Sequence, residues 1–161
     1  MRETLFNWLQ GVIGGARCLD LFAGSGALGL EALSRGARAV VFVEHAPAIA
    51  RALRDTLATL GGTAASVVTA DAFRYLAGPA QPFDVVFLDP PFAQGRQREL
   101  CTLLEDRGWL APRAHIYLEG AARGGPPSLP AAWEALRETR AGEVLAVLAR
   151  RRAGREPMDE T

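Results

Sequence analysis

The sequence predicts one α/β domain whose seven-stranded sheet is mostly parallel, with helices on both faces and a C-terminal antiparallel hairpin. Three observations predict it. Short apolar runs alternate with helical patterns along the chain, as they do in a parallel sheet covered on both sides. Runs such as Val40-Val41-Phe42-Val43 and Val85-Val86-Phe87-Leu88 are apolar throughout, so those strands need burial on both faces. Near the end, two strand-like segments flank Ala141-Gly142, a tight-turn pair.

Taken in order, Arg2 to Gln10 forms a leading helix with Leu5, Phe6 and Leu9 inward. A first strand follows at Arg17 to Phe22, then a helix from Ala27 to Ser34 carrying Leu28, Leu30 and Leu33 and stopped by Gly36. The second strand is Ala39 to Val43. The helix from Ala48 to Leu60 has Ile49, Leu53, Leu57 and Leu60 as a core stripe at helical spacing. Ser66 to Thr69 is a third strand, and Asp71 caps a short helix to Leu76 before the Gly78-Pro79 break. The fourth strand, Phe83 to Leu88, precedes an amphipathic helix from Arg96 to Arg107 that ends at Gly108. A fifth strand spans Ala114 to Leu118. Beyond the glycine- and proline-rich stretch Gly120 to Pro130, Trp133 to Arg140 and Glu143 to Arg151 make the hairpin. The domain is expected to occupy residues 1–152, and 153–161 to be a mobile polar tail.

Composition narrows the class. With 49% hydrophobic and 22% charged residues, the chain reads as a soluble, cytoplasmic globule and a monomer. No run reaches the roughly 20 apolar residues of a membrane helix, and no signal sequence follows Met1. Cys18 and Cys101 each stand alone in apolar segments, as core thiols do. His45 and His115 have no ligand pattern around them, so no metal is expected. The formal net charge of zero excludes a broadly basic protein that grips nucleic acid by phosphate neutralisation alone. All 18 basic residues are arginine; Arg150, Arg151, Arg152 and Arg155 form the one dense basic patch, expected to be a frayed, solvated terminus.

The first strand runs into Asp20-Leu21-Phe22-Ala23-Gly24-Ser25-Gly26-Ala27-Leu28-Gly29. Its glycines fit G-x-G-x-x-G, and Glu44 ends the second strand where an acid would hold ribose hydroxyls. A nucleotide-dependent oxidoreductase would share both features. Asp20 argues otherwise, because a carboxylate there repels a pyrophosphate at the helix N-terminus. It attracts the sulfonium and ammonium of S-adenosyl-L-methionine, which has no phosphate. The expected cofactor site is therefore Asp20, Phe22, Ala23, Gly24 and Gly26, with Glu44 on the ribose and Asp71 and Ala72 at the adenine. For Asp71, spacing leaves adenine binding and simple helix capping both open.

The fourth strand ends in Asp89-Pro90-Pro91-Phe92, at the sheet edge where ligands of open α/β folds bind. The prolines hold a stiff turn in which the Pro90 carbonyl faces a substrate. An exocyclic amino group on a base is a poor nucleophile, since its lone pair is delocalised into the ring. Two acceptors, the Asp89 carboxylate and the Pro90 carbonyl, draw its hydrogens out of plane and localise that pair. Phe92 stacks on the base, a contact worth about 1–3 kcal/mol. Asp-Pro-Pro by itself is also an ordinary strand-ending turn; the preceding glycine loop and the following aromatic favour the chemical reading.

The order of the two motifs resembles the class I amino-methyltransferases. More narrowly, Arg2-Glu3-Thr4-Leu5-Phe6-Asn7-Trp8-Leu9, the run Leu19 to Arg35, Asp89-Pro90-Pro91-Phe92, Leu103 to Leu110 and Ile116-Tyr117-Leu118-Glu119 are similar to the bacterial 16S ribosomal RNA guanine-N2 methyltransferase family, RsmD type. The resemblance covers almost the whole chain. It implies a Rossmann-like seven-stranded methyltransferase sheet, S-adenosylmethionine as cofactor, and one methyl transferred to a guanine amino group of 16S ribosomal RNA in an assembling 30S particle. Members carry an N-terminal extension with a β-hairpin and basic residues before the leading helix, whereas this sequence starts at that helix; the extension would contact RNA. Methylation of DNA adenine or cytosine amino groups is the nearer alternative, and a non-catalytic RNA-binding module a more distant one.

Overall fold

A computed structural model describes residues 1–61, 64–89 and 94–152. Its elements are α1 (Arg2–Trp8), β1 (Arg17–Asp20), α2 (Ala27–Ser34), β2 (Ala39–Glu44), α3 (Pro47–Leu60), β3 (Ala65–Thr69), α4 (Ala72–Leu76), β4 (Phe83–Leu88), α5 (Gln94–Asp106), β5 (Leu110–Ala121), β6 (Trp133–Ala141) and β7 (Val144–Arg151). The seven strands form one sheet in the order β3-β2-β1-β4-β5-β7-β6. Strands β1 to β5 pair in parallel, while β7 runs antiparallel to both β5 and β6. The hairpin thus inserts its second strand next to β5 and leaves β6 as the edge.

Side-chain alternation divides the core between the two faces. Cys18, Val40, Phe42, Val85, Phe87 and Tyr117 point to the face covered by Leu5 and Phe6 of α1, its C-cap Leu9, Ala32 of α2 and Leu53 and Leu57 of α3. Leu19, Val43, Val86, Leu88, Ile116 and Leu118 meet Leu76 of α4 and Leu100 and Leu104 of α5 on the other. Both cysteines are buried and free, each in one of these cores. Burial pushes both thiols up to about 12, so neither ionises near neutral pH.

Several boundaries and faces differ from expectation. The inward stripe of α3 is Ala50, Leu53 and Leu57, whereas Ile49 is 44% exposed and Leu60 66%. At 100° per residue Ile49 and Leu60 fall on the margin of the stripe centred on Ala50, Leu53 and Leu57, where they meet solvent. In α2 the fully buried positions are Gly29 and Ala32, and Leu28, Leu30 and Leu33 pack partly buried around them. Strand β1 stops at Asp20, two residues early, because the loop then turns over the sheet edge. Strand β5 is longer than expected: it starts at Leu110, and the β4–β5 register shifts between Phe83 and Val85. Arg113 sits within that stretch at φ 62°.

Arg150 and Arg151 are not a frayed terminus. They lie in β7, where Arg150 pairs with Glu134 at 2.7 Å and Arg151 with Glu105 at 3.0 Å. Glu105 also accepts from the Trp133 indole at 3.0 Å, so Arg151 ties the hairpin to α5, while Arg150 joins β7 to β6. Arg155 and the rest of 153–161 lie outside the described residues. Among the described residues, no helix is long and apolar enough to cross a membrane.

Candidate active site

Chain reversal places a crevice at the carboxyl edge of the sheet. From β1 the chain crosses to β2 on one side, and β4 lies on the other; ligands of open α/β sheets sit at such a switch point. Asp20 ends β1 opposite Phe87 of β4, and Asp89 follows two residues later. Asp20 of the first motif and Asp89 of the second therefore converge.

The loop after β1 owes its shape to its glycines. Gly26 caps α2 at φ 84°, in the left-handed region that side chains rarely adopt. A Cβ on Gly29 would stand 2.2 Å from Phe42 Cε1, so the absent side chain is what lets α2 lie against β2. That closeness brings the Gly29 amide to 3.2 Å from Asp20 Oδ2. Asp20 is only 3% exposed. Burial raises its carboxyl to about 7 despite the Gly29 hydrogen bond, and the nearby charges of Asp89 and Glu44 add to the rise. A buried acid with one amide donor and acidic neighbours favours a cation close by.

Glu44 ends β2 at 6% exposure. Its Oε2 accepts from the Gly24 amide at 2.9 Å and its Oε1 from the Ala46 amide at 3.2 Å. Glu44 thus holds the glycine loop to β2, and each oxygen keeps a lone pair for a ribose hydroxyl. His45 Nδ1 lies 3.4 Å from Glu44 Oε1, and this neighbour had no signal in the sequence. The Ala23 amide donates to the Val43 carbonyl at 3.0 Å, a second tie between loop and strand.

A cavity of about 270 Å³ opens here, lined by Leu21, Phe22, Val43, Glu44, His45, Ala70, Asp71 and Ala72. Apolar walls with a few polar groups suit a nucleoside. Asp71 Oδ2 accepts from the Arg74 amide at 3.1 Å. It therefore does cap α4, while lining the cavity as well. The donor set fits S-adenosylmethionine: an acid for the positive end, an acid for the ribose and an apolar slot for the ring. It fits a pyrophosphate poorly, since Asp20 and Glu44 occupy the surroundings of the loop.

Asp89 is exposed at the end of β4. Loss of solvent around its carboxyl, followed by the negative charge and hydrogen bonding of Glu119, raises it to about 6. Pro90, Pro91 and Phe92 lie outside the described residues. Glu119 lies next to Asp89, accepting from the Tyr117 hydroxyl at its side chain and from Gln97 Nε2 at its carbonyl; the sequence showed Tyr117 and Glu119 only as part of a family resemblance, and Gln97 not at all.

Comparison with known proteins bears on this geometry directly. Residues 1–150 match a family described as Conserved hypothetical protein 95. The Ribosomal RNA small subunit methyltransferase D of Escherichia coli strain K12 is 50% identical over 153 residues, covering 95% of this chain and 77% of that protein. The chain belongs to the ribosomal RNA small subunit methyltransferase D family. The solved structure of yhhF from Escherichia coli superposes with a TM-score of 0.92 at 50% identity, covering 95% of this chain and 86% of its own. The fold extends further. Magnesium protoporphyrin IX methyltransferase from Synechocystis PCC 6803, solved with S-adenosylmethionine bound, has a TM-score of 0.70 at 17% identity, covering 93% of this chain and 77% of its own. The family's seven-stranded sheet is thus the sheet of cofactor-dependent methyltransferases.

Proposed function

We propose that this chain is an S-adenosylmethionine-dependent ribosomal RNA methyltransferase that places one methyl group on the N2 amino group of a guanine in 16S ribosomal RNA, within an assembling 30S particle. The observation that carries this reading is the convergence of the Asp20–Gly29 loop and Asp89 on one crevice between β1 and β4. Membership of the methyltransferase D family supports the RNA substrate.

When bound, S-adenosylmethionine supplies an electrophilic methyl on a positively charged sulfur. Asp20 draws that positive end toward the loop, from beneath α2. Phe22, Ala23, Gly24 and Gly26 carry the loop backbone past the methionine part, and Glu44 holds the ribose. Asp71 and Ala72 meet the adenine. Across the crevice, Asp89 accepts a hydrogen bond from the amino group of the base, and the Pro90 carbonyl takes the second, so that the nitrogen lone pair turns out of the ring plane. Pro91 stiffens that turn, and Phe92 stacks on the base.

The test is transfer of labelled methyl from S-adenosylmethionine to assembled small-subunit particles and to deproteinised 16S ribosomal RNA, followed by mass spectrometry of the nucleosides. N2-methylguanosine is the expected product. Label on adenine or cytosine amino groups would replace the guanine assignment, and no transfer to any RNA would sink the reading.

A further inference from the structure

Leu88 stands beside Leu118 in the parallel β4–β5 ladder, so the residues that follow, Asp89 and Glu119, emerge side by side. Alternation puts both on the face of Phe87 and Tyr117, which lie in the core beneath α1 to α3. The Tyr117 hydroxyl donates to Glu119 Oε1. The buried Gln97 of α5 donates through Nε2 to the Glu119 carbonyl at 3.1 Å. Glu119 is therefore held at both its main chain and its side chain.

Burial, and then the hydrogen bond and charge of Glu119, raise the Tyr117 phenol far above its ordinary value, so it stays a donor. The ionisable groups acting across these strand ends are Glu119 and Tyr117 from β5, and Asp20 from β1, whose carboxyl feels the charge of Asp89. An acid near pH 4 is a weak proton acceptor in neutral solution, and one moved toward neutrality is a better one. The position of Asp89, raised by loss of solvent and by Glu119, agrees with that need.

We propose that Glu119, oriented by the Tyr117 hydroxyl, is a positioning residue that makes Asp89 the acceptor for the proton lost from the amino nitrogen. This rests on reading the site as an amino-methyltransferase. The nitrogen lone pair forms the N–C bond to the methyl, while the C–S bond breaks and its electron pair stays on sulfur. The nitrogen, now positively charged, gives one proton to an Asp89 oxygen. Glu119 shares that proton in a carboxyl–carboxylate hydrogen bond until water removes it.

Two measurements test this on the intact chain: a carboxyl ¹³C NMR titration of Asp89, and the pH profile of kcat on small-subunit particles. In Glu119→Gln the Asp89 midpoint should fall by about one pH unit. The acidic limb of kcat should move down with it, and plateau kcat should drop about tenfold or more. S-adenosylhomocysteine affinity and KM for the particle should stay within about twofold, since the proposed role of Glu119 is exerted through Asp89 and not through either ligand. Tyr117→Phe removes the donor that stabilises the Glu119 charge, so the pair should hold its proton harder and the limb should move up. An unmoved midpoint, or a fall in kcat with no movement of the limb, overturns the role of Glu119. Should Glu119→Gln not fold, a Tyr117→Phe profile matching wild type overturns it. A wild-type protein that methylates no amino group overturns the functional reading instead, so the two failures are distinct.

Discussion

The Gly29 amide hydrogen-bonds a buried carboxylate, that of Asp20, from the first turn of α2 at 3.2 Å. One donor does not offset the lost solvent, which is why the folded carboxyl stands near 7, above the ordinary 3.8. A carboxyl raised on folding favours the folded state most when protonated. Its contribution is complete below about pH 4 and is lost as pH climbs to about 7. Asp20→Asn should remove this dependence. We expect the variant to gain stability relative to wild type between pH 5 and pH 8, by an amount on the order of a few kcal/mol. Urea midpoints at the two pH values measure it, and parallel pH curves for the two proteins would contradict it.

The same group links protons to cofactor binding. A positive ligand placed beside Asp20 favours its ionised form, so binding near pH 7 should expel part of a proton. Calorimetry of S-adenosylmethionine in buffers of different ionisation enthalpy should show that release. Asp20→Asn should abolish it and weaken binding by about tenfold or more, the scale of one lost charge-assisted contact. Buffer-independent heats for wild type at pH 7 would place the positive end of the ligand away from Asp20.

Glu44 has a double attachment that separates two of its tasks. One oxygen holds the Gly24 amide at 2.9 Å, the other the Ala46 amide at 3.2 Å. Glu44→Ala deletes both ties together with the ribose contact, whereas Glu44→Gln keeps one oxygen acceptor. We expect S-adenosylhomocysteine affinity to fall by about 100-fold in the first and about tenfold in the second, at roughly 1.4 kcal/mol per factor of ten. Equal losses would mean that the charge alone matters and the tie to Gly24 does not.

What the sequence made legible follows from how directly each residue type constrains its surroundings. The element order was readable because Val85 to Leu88 and Val40 to Val43 leave few alternatives to a buried strand, and because Gly36 and Gly108, both at positive φ, mark helix ends. Asp20, Glu44 and Asp71 were legible as strand-end or cap acids. Asp71 caps α4 and also lines the cavity, so the cap does not displace the adenine reading. Faces were harder. Ile49 looked like core by hydropathy, but the buried face of α3 runs through Ala50, Leu53 and Leu57, and which side of a helix meets the sheet is a tertiary quantity. The arginines of β7 read as a tail because their partners, Glu105 and Glu134, are remote or on a neighbouring strand. Glu119 stood in the sequence only within a family-like segment, with no role of its own, because its placement beside Asp89 depends on the β4–β5 register, including the shift between Phe83 and Val85.

Gly29 offers a sharper test of why the loop needs its third glycine. A methyl there would overlap Phe42 Cε1 at 2.2 Å and Cζ at 2.7 Å, and Phe42 is fully buried. Gly29→Ala must therefore push α2 away from β2, at a cost of about 1–3 kcal/mol for overpacking. The displacement also draws the Gly29 amide from Asp20, so cofactor affinity should fall along with stability. If the requirement is steric, shrinking the obstacle should answer it: Gly29→Ala with Phe42→Leu should regain affinity even though Phe42→Leu alone loses packing. The two substitutions touch, so their effects should depart from additivity by about 0.5 kcal/mol or more. Thermal midpoints and S-adenosylhomocysteine titration of the four proteins close the cycle. Strict additivity, with no recovery of affinity in the double variant, would mean that Gly29 serves the ligand by backbone conformation and not by its closeness to Phe42.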